Sequence, residues 1–165
     1  MARELDLSGL LAVFDRHGLA YVLIGGIAAV AHGSPFPTED LDISPAVEPE
    51  NLARLSAALT ELDAKVRVEG VPDGLPFAHD AQSLGAARMW NLTTIYGDLD
   101  ISFVPSGTTG YRDLSRCAES MDLFGVPVQV AALADVIRSK QAANRPKDQR
   151  TLPALRDILA RRRRS

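Results

Sequence analysis

Hydrophobic and polar positions follow two periods along this chain, one typical of helices and one typical of strands. Apolar residues recur at helical spacing near the N-terminus and predict an amphipathic helix over about residues 4–17, closed by Gly18. The same spacing predicts further helices over about 27–32, 50–62, 133–143 and from Leu152 to the final arginine run. In that last helix Thr151 is the expected N-cap, and Pro153 falls in the first turn.

Short extended runs separate these helices. Strands are predicted over about 21–24, 40–44, 65–68, 89–96, 99–104, 119–124 and 127–130. Gly97-Asp98 and Gly125-Val126 stand between consecutive runs and predict two hairpins. The segment from Glu69 to Ala81 is rich in proline and glycine, so it is predicted to be irregular. Helices and strands therefore alternate without a regular repeat.

Composition limits the class of protein. A chain of 165 residues with 46% hydrophobic and 24% charged residues is sufficient for one domain, so residues 1–165 are expected to form a single domain. No apolar run approaches the roughly 18–20 residues of a membrane helix, and the N-terminus lacks the pattern of a secretory signal. We therefore expect a cytoplasmic protein without a membrane partner. The single Cys117 excludes an intrachain disulfide and is expected to be a small buried residue.

Charge is distributed unevenly, although the net charge is only −3. The C-terminal segment, about 132–165, is predicted to be helical and basic. From residue 138 onward its acids are Asp148 and Asp157, whereas its bases are Arg138, Lys140, Arg145, Lys147, Arg150, Arg156 and Arg161–Arg164. A basic segment on an acidic body suits a polyanionic ligand. A solvated helix end with a frayed arginine run is the alternative interpretation.

The pentapeptide Asp-Leu-Asp-Ile-Ser occurs twice, at 40–44 and at 98–102, without further similarity around the copies. Residues two apart on a strand share a face, so Asp40 and Asp42 point together, and Asp100 lies on the acidic face of the second copy. Neighbouring carboxylates repel unless a cation lies between them, and Mg²⁺ prefers such oxygen ligands. Either copy alone is also compatible with a solvated strand face. Asp98 adjoins a turn glycine and is expected to be solvated.

A glycine pair precedes the first acidic copy. The apolar run 21–24 enters Gly25-Gly26, and the predicted helix follows at once. Glycines allow close approach of the backbone, and free N–H groups at a helix start attract phosphate. The alternative is that the glycines only permit tight packing. The spacing matches neither the Walker pattern nor the dinucleotide fingerprint.

Two motifs carry a resemblance to a known family. Residues 25–33 (GGIAAVAHG) followed by 38–43 (TEDLDI) resemble the signature of nucleotidyltransferases of the DNA polymerase beta superfamily. Residues 140–148 (KQAANRPKD) resemble the closing Lys and Arg-x-Lys-Asp segment of the AbiEii and MenT-like toxin branch. The matching regions, 21–44, 92–104 and 133–155, cover about a third of the chain.

The resemblance implies an α+β fold, with a mixed β-sheet flanked by helices and a helical C-terminus. It also implies transfer of a nucleoside monophosphate from a nucleoside triphosphate to a hydroxyl, with Mg²⁺ or Mn²⁺ as cofactor. Carried onto this sequence, the metal ligands are Asp40, Asp42 and Asp100, and Asp100 helps to activate the attacking hydroxyl.

The remaining implied roles concern the triphosphate. Gly25, Gly26 and Thr38 form its turn, and Lys140 and Lys147 offset its charge, with Asp148 as a supporting catalytic residue. The chain departs from the family pattern at Phe36, where relatives often have Arg, and at Gly26, where other branches have Ser.

Three hypotheses about function follow. The first is a toxin of a toxin-antitoxin system that modifies the 3′ end of tRNA and has a cognate antitoxin protein. The second keeps the chemistry and changes the acceptor to a small hydroxylated molecule such as an antibiotic, although the chain is short for such an enzyme. The third is a non-catalytic, antitoxin-like binding protein of the same fold.

Overall fold

The computed structural model describes residues 3–165, so Met1 and Ala2 of the predicted domain lie outside the described residues. The helices are α1 (Leu7–Arg16), α2 (Gly25–Ala31), α3 (Pro49–Glu61), α4 (Ala81–Gly85), α5 (Tyr111–Ser115), α6 (Leu133–Ala143) and α7 (Pro146–Arg164). The strands are β1 (Tyr21–Ile24), β2 (Asp40–Pro45), β3 (Lys65–Val68), β4 (Val71–Leu75), β5 (Met89–Thr94), β6 (Gly97–Ser102), β7 (Glu119–Leu123) and β8 (Val126–Val130). The fold is α+β with a helical C-terminus, as the sequence predicts.

All eight strands form one mixed sheet in the order β4-β3-β5-β6-β2-β1-β8-β7. β2 and β6 are neighbours and run parallel, whereas β1 and β2 are antiparallel. Both predicted hairpins are confirmed, since β5 pairs with β6 and β7 with β8, but the first turn lies at Ile95-Tyr96 and the predicted turn residues Gly97-Asp98 belong to β6. Phe124 and Gly125 both have positive φ at the second turn, which suits the twist of a two-residue hairpin. The two acidic strands therefore lie side by side at the centre of the sheet.

One hydrophobic cluster holds the sheet and its helices together. Leu41 and Ile43 of β2 and Leu99 and Ile101 of β6 are fully buried and belong to the same cluster as the buried residues of α1 and α3. Side chains alternate between the two faces of a strand, so the aspartates between these residues face the other way. The apolar face fixes the register, because a shift by one residue would bury the carboxylates instead.

The last helix begins six residues earlier than predicted, at Pro146 rather than Leu152. α6 ends at Asn144 in the left-handed conformation, and proline is well tolerated in the first turn of the helix that follows. Asp148 accepts a hydrogen bond from the backbone N–H of Arg145, which caps the new helix. The prediction of Thr151 as N-cap is therefore wrong, and Pro153 lies inside the helix rather than in its first turn.

The proline-rich segment at 69–81 was predicted to be irregular. This prediction is wrong in part, because the segment contains β4. That strand lies at one edge of the sheet and pairs with β3, and an edge strand tolerates Pro72, which has no N–H to donate. Gly70 and Gly74 adopt positive φ at the turn and within β4. The short helices α4 and α5 were also missed. α4 is held by a capping box between Asp80 and Ser83.

Two further observations concern expectations from composition. Cys117 is exposed, so the prediction that it is buried is wrong. It follows the short helix α5 at the surface and precedes β7. None of the helices within residues 3–165 has the length and apolar character needed to cross a membrane.

Candidate active site

Three carboxylates meet on the polar face of β2 and β6. The strands pair in register, with Asp40 opposite Asp98 and Asp42 opposite Asp100, so the two copies of the pentapeptide lie side by side. One carboxylate oxygen from each of Asp40, Asp42 and Asp100 lies within 4.8 Å of the others. The three predicted metal ligands therefore come together in space, whereas Asp98 lies outside this group.

Asp42 is the most strongly perturbed member of the three. Burial is the largest cause, and the charges of Asp40 and Asp100 add to it, so the pKa of Asp42 rises from 3.8 to about 7. Lys147 and Arg145 oppose this shift from the other side of the site. Within residues 3–165 the Asp42 carboxylate accepts no hydrogen bond that would offset its burial. Its charge needs a compensating cation.

Asp100 has a different environment. Burial and the contact with Asp40 raise its pKa to about 6, although the guanidinium of Arg67 lowers it. Arg67 lies on β3, two strands away in the sheet, and donates a hydrogen bond to Asp100 Oδ1. Arg67 escaped the sequence analysis because it stands in no motif and only the strand order brings it to β6. A single arginine in a four-residue strand gave no usable signal.

The glycine pair lies directly beside the carboxylates. Gly25 has φ +69° and is already the first residue of α2, so the predicted separate turn at Gly25-Gly26 is part of the helix. A Cβ atom on Gly25 would lie 2.8 Å from the Cβ of Asp42. A Cβ on Gly26 would lie 2.8 Å from Thr38 Oγ1. Both positions require glycine, because the start of α2 packs against β2 and against the loop that leads into β2.

Thr38 acts on Asp40. Its hydroxyl lies 3.3 Å from both the backbone oxygen and Oδ1 of Asp40, in position to donate to either. Thr38 thus fixes the start of β2 and the side chain of the first carboxylate. This is a contact to the protein itself, whereas the family resemblance predicts a contact to the triphosphate.

Cations face the carboxylates from α6 and α7. Lys140, Arg145 and Lys147 line the same cavity as the three aspartates. Asp148 does not line it but is completely buried behind it. Its carboxylate accepts from Arg145 Nε at 2.8 Å and lies 3.6 Å from Lys140 Nζ. Asp148 therefore holds two cations of the cavity wall, and of these Arg145 was not predicted as a site residue.

The cavity between these walls has a volume of about 410 Å³. Its polar side carries the carboxylates and the cations, and its apolar side includes Phe36, Met89 and Leu114. Phe36 and Met89 are 40% and 57% exposed at the rim. The space suits a ligand that combines an anionic group with an apolar or aromatic part.

The donor set fits a hard divalent cation. Three carboxylates supply oxygen ligands only, which Mg²⁺ and Mn²⁺ accept. Burial first, and the neighbouring carboxylates second, raise the pKa values of Asp42 and Asp100, so the negative charge of the ionised cluster is poorly compensated. A cation among the three side chains would compensate their negative charge. The lysines and the arginine that line the same cavity would then remain for an anionic ligand.

The comparisons with known proteins concern the fold. No protein-family model matches the sequence, and neither does any curated protein. The lincomycin-bound lincosamide antibiotic adenylyltransferase LnuA matches with a TM-score of 0.61 at 14% identity, over 94% of this chain and 99% of that chain. A Thermotoga maritima protein described as a candidate nucleotidyltransferase matches with a TM-score of 0.52 at 16% identity, over 94% of this chain and 91% of that chain.

The antibiotic-resistance factor ANT(2'')-Ia matches with a TM-score of 0.52 at 17% identity, over 93% of this chain and 88% of that chain. At these identities the similarity shows the fold, which this chain shares with nucleotidyltransferases over nearly its whole length. The resemblance to the toxin branch stays a prediction.

Proposed function

We propose that this protein is a nucleotidyltransferase that moves a nucleoside monophosphate from a nucleoside triphosphate to a hydroxyl and releases pyrophosphate. One observation carries the proposal. Asp40, Asp42 and Asp100 each place one carboxylate oxygen within 4.8 Å of the others, and the cavity that they line is also lined by Lys140 and Lys147. Three carboxylates and two lysines in one cavity suit a metal-bound triphosphate.

The triphosphate is bound by the cations of α6 and α7. Lys140 and Lys147 offset its charge, and Asp148 keeps Lys140 in place. Gly25 and Gly26 line the same cavity at the start of α2, where the absence of side chains lets the phosphates approach the backbone. The apolar side of the cavity remains for the base or for the acceptor.

The reaction forms a bond between the acceptor oxygen and the α-phosphorus and breaks the bond from the α-phosphorus to the β-bridging oxygen. Asp100 accepts the hydroxyl proton, since its carboxylate belongs to the cluster that would hold the metal beside the acceptor. Mg²⁺ held by the three carboxylates would supply the positive charge that stabilises the attacking and leaving oxygens. Asp40 is kept in position for this by Thr38.

The proposed acceptor is an RNA 3′ end, as in tRNA. α7 begins at the cavity with Pro146 and runs for 19 residues, or about 28 Å, to an arginine cluster, Arg161–Arg164. α7 has two acidic residues, and each forms an ion pair with one arginine: Asp148 with Arg145, and Asp157 with Arg161. The charges of the other basic residues of α7 are therefore not offset within the helix. A polyanion that enters the cavity could follow this helix.

A small hydroxylated acceptor is the second candidate, and it is compatible with what the structural neighbours act on. LnuA is described as a lincosamide antibiotic adenylyltransferase, and this chain spans 99% of its length. The expectation that the chain is short for such an enzyme therefore loses its force. A cavity of about 410 Å³ with an apolar side also has room for a drug-sized molecule.

Incubation with each α-³²P-labelled nucleoside triphosphate and Mg²⁺ tests the proposal. Total tRNA and a panel of antibiotics, including lincosamides and aminoglycosides, are supplied in separate reactions. Label in tRNA supports the toxin-like function, and label in an antibiotic supports the second candidate. Absence of label and of released pyrophosphate in every reaction would support the non-catalytic, antitoxin-like protein and reject the enzyme.

A matched pair of variants tests the assignment of the third carboxylate. Asp100→Asn should abolish transfer. Asp98→Asn is the control, because Asp98 lies on the same face of β6 but outside the group of three carboxylates, and this variant should reduce transfer by less than about fivefold. Circular dichroism should show that both variants are folded. Equal activity of the two variants would remove Asp100 from the site.

A further inference from the structure

Arg67 is a cation that contacts the carboxylates of β6 and belongs to none of the motifs. It lies on β3, and its side chain crosses β5 to reach β6. Nη1 donates to the backbone oxygen of Leu92 at 2.9 Å, and Nη2 donates to Asp100 Oδ1. A backbone carbonyl therefore anchors the guanidinium, and its planar fork fixes the direction of the second hydrogen bond.

The contact engages Oδ1 of Asp100. A carboxylate can accept at both oxygens, so Arg67 leaves Asp100 with an oxygen for the cluster that it forms with Asp40 and Asp42. Nη1 of Arg67 also lies 3.6 Å from Asp98 Oδ2. One positive charge thus adjoins both acidic side chains of β6, Asp98 and Asp100, and only 31% of its side chain is exposed.

We propose that Arg67 is a positioning residue for the transfer reaction: it orients Asp100 through one oxygen and moderates the negative charge of the metal-binding cluster. This inference rests on the proposed function. The two effects have opposite consequences for binding and turnover. Loss of the charge strengthens attraction of a divalent cation, whereas loss of the orientation displaces the group that receives the proton.

Two substitutions separate charge from geometry. Arg67→Met removes both and keeps a long side chain, so Mn²⁺ should bind about tenfold more tightly while kcat falls about thirtyfold. Arg67→Lys keeps the charge but loses the fork, so Mn²⁺ affinity should stay within about twofold while kcat falls about tenfold. KM for the triphosphate should change less than about threefold in both, because Lys140 and Lys147 line the cavity and are unchanged, whereas Arg67 does not line it.

The experiment uses the full chain stripped with chelator. Calorimetric titration with Mn²⁺ in the absence of nucleotide gives the dissociation constant, and steady-state transfer gives kcat and KM. Arg54→Met is the charge-matched control, since Arg54 is exposed on α3 and does not line the cavity. It should leave all three constants unchanged.

The outcomes distinguish this inference from the proposed function. If the wild-type protein binds no Mn²⁺, both are overturned. If the wild type binds Mn²⁺ and the Arg67→Met variant binds it equally or more weakly, the inference about Arg67 is overturned and the proposed function stands. Tighter Mn²⁺ binding together with a lower kcat supports the inference, because a merely structural role would weaken binding as the fold loosens.

Discussion

Asp42→Asn should stop transfer and at the same time stabilise the metal-free protein. In the folded protein the pKa of Asp42 is raised from 3.8 to about 7, mainly by burial and then by Asp40 and Asp100. At 1.36 kcal/mol for each pKa unit, ionising this carboxyl in the folded state costs about 4 kcal/mol. An amide of the same shape carries no charge and avoids that cost.

The pH dependence has a definite sign. A group whose pKa is raised on folding binds its proton more tightly in the folded state, so the wild type loses stability as pH rises from about 4 to above 7. The variant lacks this loss. We expect Asp42→Asn to be more stable by about 2–4 kcal/mol at pH 8 and nearly equal to the wild type at pH 4.

Urea unfolding in chelator at pH 4, 6 and 8 gives these differences directly. Added Mg²⁺ should then stabilise the wild type at pH 8 and leave the variant almost unaffected, because the ion binds the folded carboxylates. Asp73→Asn, at an exposed position of β4, is the control for a change in net charge. It should not reproduce the stabilisation.

A variant that is equal to or less stable than the wild type at pH 8 in chelator would refute the reasoning. Such a result would mean that the Asp42 carboxylate is already compensated within the protein. The uncompensated charge of Asp42 would then no longer support a metal site, whatever the effect of the substitution on transfer.

Three further changes test the neighbourhood of the carboxylates. Gly25→Ala should lower the free energy of unfolding in urea by at least about 2 kcal/mol more than Gly18→Ala, because both glycines have positive φ but only Gly25 would place a Cβ against Asp42. Equal losses of stability in the two variants would contradict the contact with Asp42. Lys140→Met should raise KM for the triphosphate about tenfold with little change in kcat, and an unchanged KM would contradict its role. Asp148→Asn should cost about 3 kcal/mol above pH 4, since Arg145 and Lys140 lose a buried partner. The pKa of Asp148 is lowered by Arg145 against the effect of burial, so that loss should shrink as the pH falls below 4, and a loss independent of pH would contradict the ion pair.

Particular elements show how far local pattern predicts this fold. Period-two alternation located β2 and β6, because their apolar residues fill the core and their aspartates face away. Glycine located both hairpins, at the turn itself for Gly125 and directly after the turn for Gly97, which is the first residue of β6. Local pattern failed where a neighbour decides the structure: β4 exists because it pairs with β3, and α7 begins at Pro146 because Asp148 accepts from the backbone of Arg145.

The candidate site divides in the same way. The sequence by itself determined which side chains share a strand face and that glycine stands where the backbone must come close, since both follow from local geometry. Only the tertiary structure decided that β2 and β6 pair in parallel, which joins Asp100 to the other two aspartates. It also brought Arg67 across β5 and placed Arg145 opposite the carboxylates. Strand order depends on contacts between residues far apart in the chain, and no local period encodes them.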